Sequence, residues 1–367
     1  MAKVLLITNI PAPYRLDLFY YMQTHIKEHE FHVLYCAERE SNRCWNVDKE
    51  KISNTYFLQN KEIAIKNKYD TKYIHISMGV TEKIKQINPD VVIGWEYNPI
   101  SLAAIAWCKL HKRKYINLTD GTLYSERNIN FVQKINRKII AKGCDAAIAS
   151  STKAKEKLEA WNVSDKKIFI SLLTVDTSVY SKAVRKPIEG RLLYVGSMIE
   201  RKGLDLLISA LEYVKEEFCL HIVGNGTENE IQTLKKQIEK ANLAGTVKFC
   251  GFKQGKDLLE EYQCASAFIL PTREDCFGLV LLEAACMGTP VITSKYADGA
   301  YDIITENVNG AIIDPYNAEE FGKTISNVLQ NTGKFKVDEN IYEKFSFKSV
   351  IKGYTDAIEY VLNEECR

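Results

Sequence analysis

The chain of 367 residues is longer than one hydrophobic core usually serves, so its length predicts two domains. Hydrophobic residues make up 46% of the chain and charged residues 26%, as in ordinary globular proteins, and no apolar run reaches the roughly eighteen residues of a membrane span. The net charge of +2 is unevenly distributed: residues 1–180 carry 27 Lys and Arg against 19 Asp and Glu (+8), and residues 181–367 carry 22 against 28 (−6). We therefore expect the first half to meet an anionic partner. That partner is not predicted to be a nucleic acid, because no dense basic face with interleaved aromatic residues occurs.

Neither the cysteines nor the N-terminus indicates export. The ten cysteines are scattered, mostly within apolar runs, and none forms a C-x-x-C pair, so we interpret them as reduced side chains; they lie at positions 36, 44, 108, 144, 219, 250, 264, 276, 286 and 366. Met1 leads directly into a strand pattern, without the basic head, long apolar segment and cleavage site of a signal peptide. We therefore expect a cytoplasmic protein.

Strand-like and helical patterns alternate through the first half, beginning with an apolar strand at Val4–Thr8 and a helical stretch from Leu16 to His25. Further strands are predicted at 31–36, 91–95, 115–118, 146–150 and 168–172, and helices at 80–87, 100–110 and 131–142. This alternation predicts a parallel, doubly wound sheet, in which ligands gather at the carboxyl ends of the strands. Residues 38–72 are polar and lack a clear period, so we interpret them as a long connection.

Two turns of the first half place polar residues directly after strands. The turn N-I-P-A-P-Y-R contains Pro13, Tyr14 and Arg15, and it either only starts a helix or presents Tyr14 and Arg15 to a ligand. Asp120 lies in L-T-D-G-T, where it is either part of an ordinary Asp-Gly turn or a carboxylate that faces a ligand. Both alternatives stay open for each turn.

The segment F-V-Q-K-I-N-R-K-I-I-A-K at 131–142 is predicted to be a basic amphipathic helix. Its apolar residues stand at helical spacing: Phe131, Val132, Ile135 and Ile139. Its basic residues stand elsewhere on the helix: Lys134, Arg137, Lys138 and Lys142. The helix either packs its apolar stripe on the sheet and solvates its charges, or lies on an anionic membrane surface. The run H-K-R-K at 111–114 favours the membrane, which would place the protein at the inner face of the cell membrane.

The second half follows a polar, aperiodic stretch at 175–187, the predicted linker. R-L-L-Y-V-G is a strand ending in Gly196, and S-M-I-E-R-K-G leads into an amphipathic helix. Arg201 and Lys202 gain nothing from the dipole at a helix start, which favours anions, so their position indicates a bound phosphate. A strand at 219–223 precedes G-N-G-T-E, and a strand at 247–251 precedes Phe252 and Lys253.

The run from Pro271 to Pro290 reads P-T-R-E-D-C-F-G-L-V-L-L-E-A-A-C-M-G-T-P. It follows an apolar strand at 267–270 and opens a helix in which nearly every residue from 279 to 286 is apolar. Glu283 interrupts this apolar helix, which is costly unless a partner bonds to its carboxylate, and Asp275 stands before the helix. Local physics leaves two interpretations: a helix cap with a structural glutamate, or two carboxylates that bind ligand hydroxyl groups.

The run E-D-C-F-G-L-V-L-L-E-A-A-C-M-G-T-P-V-I resembles the signature of glycosyltransferase family 4, retaining enzymes of the GT-B fold. The resemblance implies two Rossmann-like domains facing each other across a cleft. It places an N-terminal acceptor-binding domain at 1–180, a C-terminal donor-binding domain at 181–345 and a helix at 346–367 that crosses back to the N-terminal domain. The implied reaction moves a sugar from a nucleotide diphosphate sugar, UDP-sugar favoured over GDP-sugar, to a hydroxyl of a lipid-linked or surface-polysaccharide precursor.

The resemblance also implies roles for residues of this chain. Glu283 matches the glutamate that takes the ribose diol, and Asp275 occupies the place of the glutamate that contacts the transferred sugar, with Glu274 one residue off register. Lys202 matches a lysine on the donor pyrophosphate; Ser197 stands where the family has an arginine, for which Arg201 substitutes. The other residues implied at the donor are Gly196, Gly224, Gly226, Phe252, Lys253, Cys276, Phe277, Gly278 and Leu279. The acceptor side comprises Pro13, Tyr14, Arg15 and Asp120, the last near a position where the family commonly has histidine.

No D-x-D pair and no His or Cys cluster is visible in the sequence, so we expect catalysis without a metal or other cofactor. Lys202, Arg201 and backbone N–H groups would then stabilise the leaving phosphate. Since no carboxylate nucleophile is evident, departure and attack on one face of the sugar is the expected route to retention. Three other functions remain: a nucleotide-sugar epimerase of the same fold, although no acid and base are visible; a nicotinamide dehydrogenase, although no stretch completes the G-x-G-x-x-G fingerprint; and a non-catalytic binding module.

Overall fold

The structure is a computed structural model that describes residues 1–41, 45, 48, 51–66, 69 and 71–363. The chain forms two compact units: unit 1 comprises Met1–Asn67, Thr71–Val175 and Phe345–Arg367, and unit 2 comprises Lys68–Asp70 and Asp176–Lys344. The main division thus falls at 175/176 and 344/345, where the sequence predicts 180/181 and 345/346.

The elements are numbered along the chain. The strands are β1 (Ala2–Thr8), β2 (His29–Tyr35), β3 (Thr55–Phe57), β4 (Gln59–Lys66), β5 (Thr71–Met78), β6 (Val91–Trp95), β7 (Lys114–Thr119), β8 (Ala146–Ala149), β9 (Ile168–Ile170), β10 (Arg191–Val195), β11 (Cys219–Val223), β12 (Val247–Gly251), β13 (Ala267–Leu270), β14 (Val291–Ser294) and β15 (Gly310–Ile313). The α-helices are α1 (Pro13–His25), α2 (Val80–Ile87), α3 (Pro99–Leu110), α4 (Phe131–Gly143), α5 (Thr152–Ala160), α6 (Thr177–Ser181), α7 (Leu204–Leu211), α8 (Glu228–Lys240), α9 (Lys256–Cys264), α10 (Leu279–Met287), α11 (Ala300–Ile303), α12 (Ala318–Gln330), α13 (Asn340–Lys344) and α14 (Phe347–Asn363).

Unit 1 is built on a seven-stranded parallel sheet of order β3-β2-β1-β6-β7-β8-β9. Its inner strands β1, β6, β7 and β8 are short apolar runs that are mostly buried on both faces, as is usual for a parallel sheet between two helical layers. On one face, Val92 of β6 and Tyr115 of β7 share a core with Ile84 of α2, Ala104 of α3 and Ile140 of α4. The sheet thereby holds the ends of β1, β6 and β7, and the loops that follow them, in fixed positions.

The last helix, α14, returns to unit 1 and packs on β7, β8 and β9. A Cβ on Gly353 would overlap the carbonyl oxygen of Ile170, so glycine is what allows this close approach. Ser171 Oγ donates a hydrogen bond to the carbonyl oxygen of Val350 at 2.8 Å. The predicted return of the C-terminal helix to the N-terminal domain is confirmed.

Unit 2 repeats the architecture with a six-stranded parallel sheet of order β12-β11-β10-β13-β14-β15. Strands β10, β11 and β13 stand side by side, so the loops that follow them meet at one edge of the sheet. Helix α10 packs against β13 and β14 with six of its nine residues buried, as its apolar sequence predicts. The predicted α/β fold with two parallel sheets is confirmed.

Two segments differ from their prediction. The described part of residues 38–72 is not a long connection: β3 joins the edge of the sheet, and β4 pairs with β5 as an antiparallel hairpin. The hairpin was missed because each of its strands has only two alternating isoleucines among polar and charged residues. The predicted linker contains a helical turn, α6.

Eight cysteines are free thiols, and Cys44 and Cys366 lie outside the described residues. Burial raises the pKa of both Cys36 and Cys108 to about 12, which keeps these thiols protonated. Within the described residues, no helix combines the length and the hydrophobicity needed to cross a bilayer.

Candidate functional site

In unit 2, the loop after β10 brings two cations to the start of α7. Arg201 and Lys202 form a short 3-10 turn with Glu200, and α7 begins directly after Gly203. Gly203 has a left-handed backbone (φ 72°), and no side chain caps the first turn of α7. Unpaired N–H groups at a helix start favour an anion, so the loop and the helix together form a phosphate-binding arrangement.

Backbone contacts hold this loop against the loops after β11 and β13. A Cβ on Gly224 would overlap the carbonyl oxygen of Gly196, and a Cβ on Gly203 would overlap that of Pro271. Gly226 lies close to Met198, where a Cβ would approach the Met198 Cβ to 2.8 Å. The glycines singled out in the sequence at 196, 224 and 226 therefore permit close packing of loops around the space before α7.

Lys202 and Asp275 form an ion pair, with side chains that are 17% and 15% exposed. Arg201 Nη1 donates to the carbonyl oxygen of Glu274 at 3.0 Å, which places a second cation beside the pair. Burial acts to raise the pKa of Asp275, but Lys202 and Arg201 together hold that pKa below its usual value. The structure thus brings together the predicted pyrophosphate lysine and the predicted sugar-binding carboxylate as partners of each other.

Glu283 on α10 is held by two tyrosines that sequence reasoning missed. Tyr262 Oη donates to Glu283 Oε2 at 2.7 Å, and Tyr180 also hydrogen-bonds to the carboxylate. Burial raises the pKa of Glu283, against the opposing effect of the two tyrosine hydrogen bonds. Nothing in the sequence marks these partners, because Tyr180 lies in the predicted linker and Tyr262 on α9.

Residues 276–279 form the turn that leads into α10. Phe277 N lies 3.3 Å from Asp275 Oδ1, and Gly278 adopts a left-handed backbone (φ 77°) at the start of the helix. No side chain caps the first turn of α10, so a second helix start with unpaired N–H groups follows Asp275. Cys276 and Leu279, named in the sequence analysis, are half-buried in this turn.

Lys253, one of the residues implied at the donor, forms a network with a glutamate and a histidine. Its Nζ lies 2.5 Å from Glu261 Oε1, and Glu261 Oε2 lies 2.9 Å from His221 Nδ1. With Cys250, His221 and Glu261 form a group whose potential metal-ligand atoms lie within 4.8 Å of one another. Among the described residues, it is the one group of three or more such side chains that could hold a metal ion. The sequence did not reveal it because its members come from β11, β12 and α9. Since the Lys253 ammonium already binds Glu261, we interpret the group as an ion-paired network beside Phe252, which is 42% exposed.

In unit 1, Arg15 of α1 and Asp120 after β7 form a buried ion pair. Arg15 Nη2 lies 2.5 Å from Asp120 Oδ2, and Trp95 Nε1 donates to the same oxygen at 3.0 Å. The Arg15 guanidinium also lies over the ring of Tyr14, 5.5 Å from its centroid. Pro13 starts α1 at its first position, so its helix-starting role is observed.

The second carboxylate oxygen of Asp120 differs from the first. Asp120 Oδ1 is buried and has no hydrogen-bond partner among the described residues. A buried carboxylate oxygen without a donor is costly, which points to a ligand that supplies one.

Glu96 holds the turn that carries Asp120, and sequence reasoning missed it. Its backbone is left-handed (φ 58°), an uncommon conformation for a side chain of this size. Glu96 Oε1 accepts from the N–H groups of Asp120 at 2.6 Å and Gly121 at 3.0 Å, and Oε2 accepts from Thr119 Oγ1 at 3.0 Å. Behind it, Nζ of the fully buried Lys157 lies 2.6 Å from Thr119 Oγ1. The Asp120 turn is therefore fixed by a network rather than left free to move.

Helix α4 turns its apolar stripe to solvent. Phe131 is 76%, Val132 64%, Ile139 50% and Ile135 39% exposed, so the stripe does not pack on the sheet. Arg137 is instead buried, with Nε 2.5 Å from Glu126 Oε2. Grouping Arg137 with the surface cations is therefore wrong, and the exposed basic residues of the helix are Lys134, Lys138 and Lys142.

Comparison with known proteins identifies the domain that unit 2 carries. Residues 181–345 match the family model of the glycosyl transferases group 1. An uncharacterized glycosyltransferase of Methanocaldococcus jannaschii is 30% identical over 169 residues, which are 45% of this chain and 43% of that protein. An uncharacterized glycosyltransferase of Haemophilus influenzae is 23% identical over 327 residues, 86% of this chain and 84% of that protein. The chain thus spans less than half of the first relative and most of the second.

The fold extends this likeness over the whole chain. Anabaena HepE, solved in complex with UDP, matches 98% of this chain and 100% of its own with a TM-score of 0.79, at 15% identity. At that identity the match shows the fold alone, which is the GT-B fold. The domain at 181–345 and the fold are those of a glycosyltransferase.

Proposed function

We propose that this chain, whose residues 181–345 form a group 1 glycosyl transferase domain, is a retaining family 4 enzyme that transfers a sugar from a nucleotide diphosphate sugar to an acceptor hydroxyl. The observation that carries the proposal is the arrangement in unit 2, where Lys202 and Arg201 precede an uncapped helix start and adjoin Asp275. UDP-sugar is favoured over GDP-sugar, supported by the UDP bound to HepE.

The donor pyrophosphate would bind at the start of α7. A diphosphate competes with Asp275 for the ammonium of Lys202, because both are anions that the same cation can meet. Displacement by the phosphate frees the Asp275 carboxylate to accept a hydrogen bond from the transferred sugar. The ion pair thus joins two groups that would both contact the donor.

Glu283 would take the ribose diol. A carboxylate offers about four acceptor positions, so the bonds from Tyr262 and Tyr180 leave capacity for two ribose hydroxyls. The tyrosines also compensate the burial of the carboxylate on an apolar helix. A glutamate at this place is thus both structurally satisfied and able to bind, so the two interpretations from local physics do not exclude each other.

The chemistry we infer requires no metal. Charge that develops on the leaving diphosphate is met by Lys202, Arg201 and the N–H groups that begin α7. Attack on the face from which the diphosphate departs gives retention, and an α-configured donor gives an α-linked product. Full activity after EDTA treatment and an α-linkage by NMR are expected; activity lost to EDTA and restored by Mg²⁺, or a β-linked product, would contradict this mechanism.

Unit 1 would bind the acceptor, a saccharide on a lipid-linked or surface-polysaccharide precursor. Arg15 and Trp95 hold one oxygen of Asp120, and the other is buried without a donor. A hydroxyl of the acceptor or of the transferred sugar supplies that donor, so Asp120 positions it.

The exposed face of α4 supports contact with an anionic membrane. Its four exposed apolar residues lie beside Lys134, Lys138 and Lys142, and no acidic residue occurs between Glu126 and Asp145. Apolar side chains that enter the headgroup region beside lysines that meet lipid phosphates explain such a face. We infer action at the inner face of the cell membrane, where a lipid-linked acceptor is found.

Titration calorimetry with nucleotides tests the proposal directly. UDP is expected to bind the wild-type protein more tightly than GDP, and Lys202→Ala to weaken UDP binding. Incubation of donor without acceptor checks the epimerase alternative, since an epimerised donor would contradict the transferase. Absence of binding by both nucleotides would remove the basis of the proposed site.

A further inference from the structure

The hairpin of β4 and β5 has two different faces. Because residues paired across an antiparallel ladder point to the same side, the register of Ile63 opposite Ile74 and Lys61 opposite Ile76 defines one of them. We call it the apolar hairpin face; its described side chains are Gln59, Lys61, Ile63, Ile65, Ile74, Ile76 and Met78. All its members but two are apolar.

The opposite face attaches the hairpin to unit 1 through polar contacts. His75 Nε2 lies 3.6 Å from Glu40 Oε2, with both side chains largely buried. Ser77 Oγ donates to the carbonyl oxygen of Cys36 at 2.8 Å, and the backbone N–H of Ser41 donates to Glu62 Oε2 at 3.1 Å. The hairpin is therefore anchored by its polar side, which leaves the apolar face outside the hydrophobic core.

The apolar hairpin face is exposed to an unusual degree. Ile63 is 39%, Ile65 45%, Ile74 40%, Ile76 51% and Met78 64% exposed. Contiguous large apolar side chains on a surface mark a binding site, and a two-stranded hairpin on its own is only marginally stable in water. A second surface is therefore expected to cover this face.

We propose that the apolar hairpin face inserts into the headgroup region of an anionic lipid bilayer. Lys61 stands within the face, and the nearest acid in β4, Glu62, points to the opposite side and bonds to Ser41. Association with a second copy would add two Lys61 cations to an apolar interface without a carboxylate from either face. In a bilayer, the Lys61 stem lies among apolar groups while its ammonium meets a lipid phosphate.

The distribution of such faces favours the same occupant. Unit 1 carries both this face and the exposed apolar stripe of α4 with its lysines, within a half of the chain whose net charge is +8. In the described part of unit 2, the exposed large apolar residues instead do not share one strand face or one helix: they are Val179, Val184, Ile188, Tyr213, Phe252, Tyr301, Val308 and Tyr316. The inference deepens the proposed membrane contact and adds an element that inserts, but it does not depend on catalytic activity.

Vesicle flotation tests the proposal with the triple variant Ile63→Ser, Ile74→Ser, Ile76→Ser. The wild type is expected to float with phosphatidylcholine vesicles that contain phosphatidylglycerol, and the triple variant to lose partitioning on the order of a hundredfold, because three isoleucines no longer enter the bilayer. The double variant Val184→Ser, Ile188→Ser removes apolar side chains of unit 2 that are 68% and 47% exposed, and it should float like the wild type. Lys61→Glu should weaken binding to anionic vesicles and leave the weak binding to pure phosphatidylcholine unchanged.

Three results would overturn the inference. A triple variant that is folded by circular dichroism and yet floats like the wild type would exclude insertion. Sedimentation that shows a wild-type dimer and a monomeric triple variant would assign the face to a second copy. If the triple variant loses turnover on a water-soluble acceptor in the absence of vesicles, the apolar hairpin face would be assigned to acceptor binding. Failure of the proposed catalysis is distinguishable from failure of this inference, because the Lys202→Ala variant should lose most of its turnover and still float.

Discussion

The two units share a parallel sheet but hold their candidate ligand-binding carboxylates differently. In unit 2, Asp275 is paired with Lys202, a cation that a diphosphate can claim. In unit 1, Asp120 is fixed by Arg15, Trp95 and the Glu96 network, and only one of its oxygens is without a donor. Under the proposed function, unit 2 would exchange an internal ion pair for a charged ligand, whereas unit 1 would offer a fixed carboxylate oxygen to a neutral hydroxyl.

The largest expected effect concerns the exchangeable pair. Lys202→Ala should lower kcat/KM by about a hundredfold or more, because a charge-assisted contact to the leaving diphosphate is lost. Steady-state kinetics measures this loss, with Lys295→Ala as the control. Lys295 also pairs with an aspartate of unit 2, Asp314, but that pair lies on the surface. Comparable turnover of the two folded variants would refute the donor role of Lys202.

A smaller effect is expected at the rigid carboxylate. Asp120→Asn should lower kcat/KM for the acceptor by about tenfold to a hundredfold, since one hydrogen bond to a charged group becomes a weaker one. Calorimetry should show unchanged UDP binding to this variant. If UDP binding falls with turnover, the assignment of donor and acceptor roles to different units is wrong.

Disruption of the Glu96 network should lower the free energy of unfolding. Glu96→Ala leaves the N–H groups of Asp120 and Gly121 without their acceptor and removes a carboxylate near Lys157, so we expect unfolding to become easier by about 2–4 kcal/mol. Glu96→Gln keeps an amide oxygen as acceptor and should cost less. Urea denaturation distinguishes the two, and equal losses would show that the charge, rather than the acceptor oxygen, is what matters.

The two carboxylates of unit 2 should give opposite pH dependences. The pKa of Asp275 is lowered in the folded protein, so its stabilising contribution is present above the unfolded pKa of about 4 and is lost as the pH falls. The pKa of Glu283 is raised, so wild-type stability is lost as the pH rises from about 4 towards the folded pKa.

Urea unfolding of Asp275→Asn and Glu283→Gln between pH 3.5 and 7 measures both effects against the wild type. The deficit of Asp275→Asn should shrink towards acid pH, and Glu283→Gln should gain relative to the wild type as the pH rises. Parallel curves for the two variants would contradict the opposite shifts.

The smallest effect concerns α4. Replacing Lys134, Lys138 and Lys142 with glutamine should weaken flotation with anionic vesicles by roughly tenfold or more at low salt. Each lysine near an anionic surface contributes about 1 kcal/mol to binding, and salt screens this attraction. Arg137→Gln, in contrast, breaks the buried pair with Glu126 and should lower stability. Equal floating of the wild type and the lysine variant would leave the basic face of α4 without a membrane role.

Prediction from the sequence succeeded where the determining residues are contiguous. Strand β6 has the predicted bounds and β13 likewise, because an apolar run between polar turns reflects a strand buried on both faces. The run around α10 was identifiable for the same reason: its turn, Asp275 and Glu283 follow one another on a single strand–turn–helix segment.

The sequence failed where partners are distant in the chain or where a pattern faces outward. Glu96 and Asp120 lie on neighbouring strand ends, and the partners of Glu283 are on other elements, so no local spacing connects them. The hairpin isoleucines alternate as in any strand, but they are not part of the core.

By itself, the sequence determined the alternation of strands and helices that builds the two parallel sheets and the charged loop before α7, because these depend on local apolar periods and on residues adjacent in the chain. Only the tertiary structure decided which charges neutralise one another and which apolar faces remain in water. By helical spacing, Arg137 and Lys134 both lie outside the apolar stripe of α4, yet Arg137 is buried and paired with Glu126, whereas Lys134 is exposed. The reason is that burial and ion pairing depend on the neighbouring element that packs against a helix, and that neighbour is set by the fold.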